Sequence, residues 1–246
     1  MKKAFFWISL AAVAASFAGG FLLANALNRS ELAALRTENS RLSSEAANSN
    51  TEPGSTLSNE EIRKKIAEAD ANPTNFSFQK NLGLALYQYG SMKQDTDLIK
   101  ESIRLLARAG DLKKDDVDLV TAQGNAFFDI GLFEKDNSSF DKAREFYSRS
   151  LALHPNDAPV TTDIGLTYFL YQPPNYDNAA EEFLKALKAD PKYEKALQFL
   201  IQTLAKQNKP EEAKKYLEQL RNVNPENEAL QGLSDEVVKA QAQAGK

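Results

Sequence analysis

The sequence predicts an all-α fold: a solenoid of about four stacked helical hairpins closed by a C-terminal capping helix and preceded by an N-terminal transmembrane helix. Three observations predict it. A phrase recurs with fixed internal offsets, as Ala143, Tyr147, Ser150, Pro155, then Ala179, Phe183, Ala186, Pro191, then Ala213, Leu217, Leu220, Pro225. Successive copies stand 36 and then 34 residues apart, the period of a helix-turn-helix unit that cannot bury its apolar face alone and must stack on its neighbours. Far from these repeats, Ala4 to Leu27 carries no charge, and residues 47–57, which include Pro53 and Gly54, have no periodic apolar positions.

Residues 1–27 come first. A helix of about 20 apolar residues crosses a hydrocarbon core of about 30 Å, and Ala4 to Leu27 has only Ser9, Ser16 and Asn25 as polar side chains. Lys2 and Lys3 are uncompensated, whereas Arg29, Arg36 and Arg41 alternate with Glu31, Glu38 and Glu45. That bias keeps the short N-terminus inside and exports the rest, which in a bacterium is an inner-membrane, single-pass protein with a periplasmic domain. Ala24-Asn25-Ala26 also fits a signal-peptidase site, so a secreted periplasmic form after cleavage is the alternative.

Within the span, Ala12, Ser16, Gly20 and Ala24 make a small-residue ridge of the kind that lets membrane helices approach. Residues 28–46 follow as a short juxtamembrane helix. Leu32, Leu35, Asn39, Leu42 and Ala46 fit a and d positions of a coiled coil, and the two features together favour a homodimer. Residues 47–57 read as a flexible linker. Ser58-Asn59-Glu60-Glu61 is a capping-box pattern that opens a half-repeat bearing Ile62 and Ile66, so the repeat domain is expected over 58–246.

The hairpins follow, approximately as 76–114, 115–157, 158–191 and 192–225. Gly83, Gly124 and Gly165 stand where two helices cross, and Ile201 takes that place in the fourth unit. Ser102, Ala143, Ala179 and Ala213 hold the second crossing, with Leu106, Tyr147, Phe183 and Leu217 four residues on. Pro155, Pro191 and Pro225 force the turns between units; Lys114 stands at that offset in the first. Small residues at a crossing let backbones approach, and the aromatic fills the space where the hairpin splays. A final helix at 228–242 covers the last hairpin with Leu230, Leu233, Val237 and Val238.

Gly83 to Ser102 and Gly124 to Ala143 each span 19 residues, seven more than the 12 of the tetratricopeptide repeat pattern that these units resemble, which places insertions at 91–97 and 132–138; Gln172-Pro173-Pro174-Asn175 adds two more. Tolerated surface loops are the plain expectation for the two long insertions. A partner-contacting rim is the alternative, and helices lengthened by about two turns in all would leave the buried face unchanged.

Composition narrows the function. The chain has 246 residues, 42% hydrophobic, a net charge of −4 and no basic block, so no nucleic acid partner is expected. There is no cysteine, which closes off thiol catalysis, disulfides and Cys-based metal sites. The single histidine, His154, precedes Pro155 and reads as a solvated turn residue. Asp115, Asp116 and Asp118 lack the turn glycine and terminal glutamate of a calcium loop and suit a helix start instead. No catalytic or metal-binding set and no cofactor is expected.

From 76 to 225 these crossings and prolines resemble the tetratricopeptide repeat family. The resemblance implies a non-enzymatic scaffold that binds a protein or peptide in a concave groove lined by the first helix of each hairpin. Carried onto this sequence, the family's groove positions are Lys80, Leu84 and Tyr87; Thr121, Asn125 and Phe128; Thr162, Leu166 and Phe169; and Gln198 and Gln202. Apolar anchors interleaved with amides suit an extended peptide or a helix, though Phe128 and Phe169 also read as partly core. Chaperone-binding members clamp a C-terminal carboxylate; here Leu84, Pro159 and Asp163 replace clamp residues. One span followed by exported repeats is similar to tetratricopeptide subunits of bacterial cytochrome c maturation, which assist assembly by presenting apocytochromes to haem lyase. An oligomeric organiser of a cell-envelope or division complex is the alternative.

Overall fold

The computed structural model describes residues 58–244. The expected transmembrane helix or signal (1–27), juxtamembrane coiled coil (28–46) and linker (47–57) lie outside the described residues. Within them the chain is helical throughout, without strands: α1 Asn59–Ala71, α2 Phe76–Lys93, α3 Thr96–Leu112, α4 Val117–Glu134, α5 Asn137–Leu153, α6 Ala158–Leu170, α7 Tyr176–Ala189, α8 Glu194–Lys206, α9 Pro210–Val223 and α10 Leu230–Ala244. No helix of the described residues is long and apolar enough to cross a membrane.

Local chemistry sets the helix starts. From α2 to α7 every N-cap is Asn or Asp: Asn75, Asp95, Asp116, Asp136, Asp157 and Asn175 each accept a hydrogen bond from a backbone N–H of the first turn. Asp136 is the strongest case. The Ser139 and Ser138 hydroxyls and their backbone N–H groups donate to it and hold its carboxyl down at about 2. α9 has no such side-chain cap and begins instead with Pro210, whose fixed φ suits a first helical position.

The helices pair as α2/α3, α4/α5, α6/α7 and α8/α9, and each hairpin stacks on the next. Between hairpins, contact is made along one row: α2 touches α4, α4 touches α6, α6 touches α8, and α8 touches α10. The second helices α3, α5, α7 and α9 make no comparable contact with one another, so their side of the stack is splayed. This asymmetry curves the array with the first helices on the inside. α1 covers the first hairpin through Ile62 and through Gln79, which is wholly buried and donates to the α1 end at Ala69 O (2.6 Å) and Asn72 O (3.0 Å). α10 lies against α8 and α9 through Leu233 and Val237.

The crossings are tight. A methyl on Gly83 would sit 2.8 Å from Leu106 Cδ2, on Gly124 2.6 Å from Tyr147 Cδ1, and on Gly165 2.6 Å from Phe183 Cε1. Leu106, Tyr147 and Phe183 are all but fully buried there.

The seven-residue insertions are not the surface loops expected of them. α2 and α4 have 18 residues and α3 and α5 have 17, whereas α6 and α8 have 13 and α7 and α9 have 14. The turns stay at two residues, Gln94-Asp95 and Lys135-Asp136, with Gln94 (φ 54°) and Lys135 (φ 56°) in the left-handed region. A heptad is close to two helical turns at about 3.6 residues each, and it divides between the two antiparallel helices. Its register explains why it fits. Gly90 and Gly131 follow Gly83 and Gly124 by seven residues and meet Ile99 and Phe140, which precede Leu106 and Tyr147 by seven, so each long hairpin carries a second close crossing in phase with the first.

The two-residue insertion at 172–175 lies at the step where the long hairpins give way to the short. Asn137 Nδ2 donates to Gln172 O (2.8 Å) and Asn137 Oδ1 accepts from Gln172 N (3.0 Å), while Arg144 lies over the rings of Tyr168 (4.3 Å) and Tyr171 (5.4 Å). These contacts tie the third hairpin's turn to the overhanging end of α5.

Candidate partner groove

The inner wall is the row α2, α4, α6 and α8, and the sequence-predicted positions divide on it into four sets. Lys80, Leu84, Tyr87 and Gln202 are half-buried and border the wall. Thr121, Asn125 and Gln198 are half-buried but already engaged: Thr121 Oγ1 lies 2.6 Å from Ser150 Oγ, Asn125 Oδ1 accepts from Tyr147 OH (2.9 Å), and Gln198 Nε2 donates to Asn227 Oδ1 (3.0 Å). Thr162 and Leu166 are core residues. Thr162 is fully buried with its hydroxyl donated to Ala158 O, and Leu166 is 4% exposed in the core shared by α6, α7 and α8. Phe128 and Phe169 are partly core: Phe128 meets Phe140 edge-on at 5.7 Å, and Phe169 meets Tyr176 and Phe199 edge-on at 5.6 Å.

The electrostatics of the wall are dominated by carboxylates. At its α2 end, Lys80 Nζ bonds both oxygens of Asp116 (2.7 and 2.8 Å), and Asp118 lies 3.7 Å away. Burial raises the Asp116 carboxyl, but Lys80 and the Leu119 N–H outweigh it and leave it lowered. The middle of the wall is different. Burial raises Asp129, and the Ser91 and Tyr87 hydroxyls offset this only in part; its Oδ2 is closed to solvent and has no hydrogen-bond partner. Burial also raises Asp163, against Lys195, whose Nζ lies 2.8 Å from Oδ1, and with Asp157 and Asp129 adding repulsion. The Tyr87 phenol is pushed far up by its own burial and by Asp129, and Tyr147 by burial and the Asp163 charge.

Asp129 was not among the predicted lining residues, and Asp163 was noted only as a replaced clamp residue. Asp129 directly follows the predicted Phe128, so its charge beside a predicted groove position was the available signal.

A raised carboxyl works against folding once it ionises. Its penalty is absent below the unfolded value near 4 and grows as pH rises through the raised folded value. Asp129→Asn is therefore expected to raise the melting temperature at pH 7 and to leave it nearly unchanged at pH 3, which thermal melts followed by circular dichroism at the two pH values check.

The splayed outer side holds clefts of about 890 Å³ between α5 and α7, lined by Arg144, Arg149, Glu182 and Lys185 among others, and of about 490 Å³ between α7 and α9. Their charges are mixed and largely paired, as in Lys185 with Glu181 and Glu182. Among the described residues no three His, Cys, Asp or Glu side chains gather as a metal site. His154 is exposed at the end of α5.

Residues 170–237 match the family described as Tetratricopeptide repeat. No curated protein matches the chain. Among solved structures, a crystal structure of MamA shares 20% identity and superposes with a TM-score of 0.53 over 67% of this chain and 87% of that one. MamA residues 41 to the end from Desulfovibrio magneticus RS-1 share 16% identity at a TM-score of 0.55, over 69% of this chain and 86% of that one. At these identities the likeness is one of fold. The described residues thus form an all-helical, tetratricopeptide-like solenoid, within which residues 170–237 carry the family match.

Proposed function

We propose that the chain is a non-enzymatic scaffold that holds a segment of a protein partner along the inner wall formed by α2, α4, α6 and α8. The observation that carries this reading is the wall itself: the helices in contact there present half-buried Leu84, Tyr87 and Gln202 together with Asp129, whose Oδ2 has no hydrogen-bond partner. A concave surface of apolar anchors and incompletely paired polar groups fits an extended peptide or a helix. In the same reading residues 4–27 anchor the scaffold in a bacterial inner membrane with the repeats on the periplasmic side, supported by the uncharged span and the Lys2-Lys3 flank.

The test is crosslinked affinity capture of the full chain with quantitative mass spectrometry. Leu84→Ala with Tyr87→Ala and Gln202→Ala is expected to lose the partner at an unchanged helical content, while Leu184→Ala on the outer face keeps it. An unchanged partner set in the triple variant defeats the groove. For the anchor, the chain is expected to stay with membranes through alkaline carbonate extraction, and its release would favour the cleaved form.

A further inference from the structure

We propose that the middle of the inner wall takes a basic segment of its partner, with an arginine or lysine side chain placed between Asp129 of α4 and Asp163 of α6. This rests on the inner wall being the binding surface, and it deepens that reading by naming the chemistry of what binds.

Three features of the wall lead to a cation. The first is a charge imbalance without an internal remedy. Asp157 and Asp129 both add negative charge to the surroundings of Asp163; His154 Nδ1 lies 3.5 Å from Asp157, and the lysine that bonds here is Lys195, on Asp163 alone. Lys80, the other lysine on the wall, is already bonded to both oxygens of Asp116 at the far end of α2.

The second is the state of Asp129. Two hydroxyls, from Ser91 and Tyr87, face the carboxylate, and its Oδ2 is shut from water without a donor. A buried carboxylate is ordinarily satisfied by a positive partner or several N–H donors. Asp129 is half-buried, its named donors are hydroxyls, and burial disfavours its charge, so a cation that a partner brings to its open edge gains more here than at a hydrated surface acid.

The third is the aromatic setting. Tyr87 is half-buried and lies against Asp129, so its ring borders the carboxylate on the wall. A guanidinium or ammonium with its alkyl stem is the group that meets a carboxylate and ring faces together. An acidic segment would add to the repulsion already present, and a neutral one would leave Asp129 as it is.

The experiment is selection of a random dodecapeptide display library on the full chain at physiological salt, followed by affinity measurement on the enriched peptides. Peptides enriched in arginine and lysine are expected. Their affinity should fall about tenfold or more in Asp129→Asn with Asp163→Asn, and by less than about twofold in Glu181→Gln with Glu218→Gln, which removes the same charge from the outer helices. The asparagines preserve shape and relieve an unfavourable buried charge, so the wall variant remains folded, with its melting curve as the check.

Enrichment of acidic or neutral peptides overturns the proposal, as does an equal loss in the two charge variants. If the enriched peptides depend on Leu84 and Tyr87 but not on the two aspartates, the groove stands and its charge preference fails. If no peptide depends on the inner wall, both fail together.

Discussion

Phe183→Ala is expected to cost about 3–5 kcal/mol of folding stability, the range for removing a fully buried phenylalanine. Phe183 has no solvent exposure and stacks on Phe199 at 6.0 Å, and its ring fills the space that the absent side chain of Gly165 leaves open. It belongs to a core that runs through α6 to α10, so its loss removes the joint between the third hairpin and its neighbour as well as the packing inside the hairpin. Chemical denaturation followed by circular dichroism measures the effect. The adjacent Leu184, 38% exposed on the outer face, is the internal comparison and should cost under about 1 kcal/mol. Similar values for the two would mean that the ring is not the wedge of the hairpin.

The second large effect is at the doubled crossings. Alanine at Gly124 places a methyl 2.6 Å from the Tyr147 ring, and at Gly131 2.7 Å from the Phe140 ring. Neither ring can withdraw easily: Tyr147 is 1% exposed with its hydroxyl held by Asn125, and Phe140 is 2% exposed. Overpacking of this kind costs about 1–3 kcal/mol, against a helix-propensity gain of about 1 kcal/mol for Gly to Ala. Each variant should therefore be destabilised on balance. The sites stand about 10 Å apart along α4, far enough for their costs to add approximately. A methyl on Gly232 in α10 would meet no atom within 4 Å, so Gly232→Ala should show the opposite sign, a gain of up to about 1 kcal/mol. A stabilised Gly124→Ala would contradict the close crossing.

The fold was legible where steric demands left a periodic trace. Gly83, Gly124 and Gly165 could be found because each faces a large residue at a fixed offset, and Pro155, Pro191 and Pro225 because a proline cannot continue a helix; they stand in the turns after α5, α7 and α9. The lengthened hairpins were less legible. Seven extra residues read equally as a loop or as helix, and the deciding feature was the second pair of glycines, Gly90 and Gly131, in heptad phase with the first. The site was legible only in part. Family positions placed Leu84, Tyr87 and Gln202 on α2 and α8, where they are half-buried, but a fixed position cannot register that Thr162 and Leu166 are buried in the core. Asp163 was legible only as a replaced clamp residue, and Asp129 escaped, because what sets them apart is burial, which no spacing rule encodes.

These features place the demanding chemistry of the chain on its inner side. The outer helices hold exposed charges paired within a turn, such as Arg221 with Glu218 and Lys185 with Glu182, which contribute little beyond solubility. On the inner wall burial raises the carboxyls of Asp129 and Asp163, the groups on which the proposed binding site rests.

The most direct measurement of that claim is site-specific photocrosslinking in cells, with a photoreactive residue placed in the full chain at Leu84 on the inner wall or at Leu184 on the outer face. A discrete protein adduct is expected from position 84, reduced when Asp129 and Asp163 are changed to asparagine, with none from position 184. Adducts from position 184 alone, or equal adducts from the two positions, would contradict an inner-wall binding site.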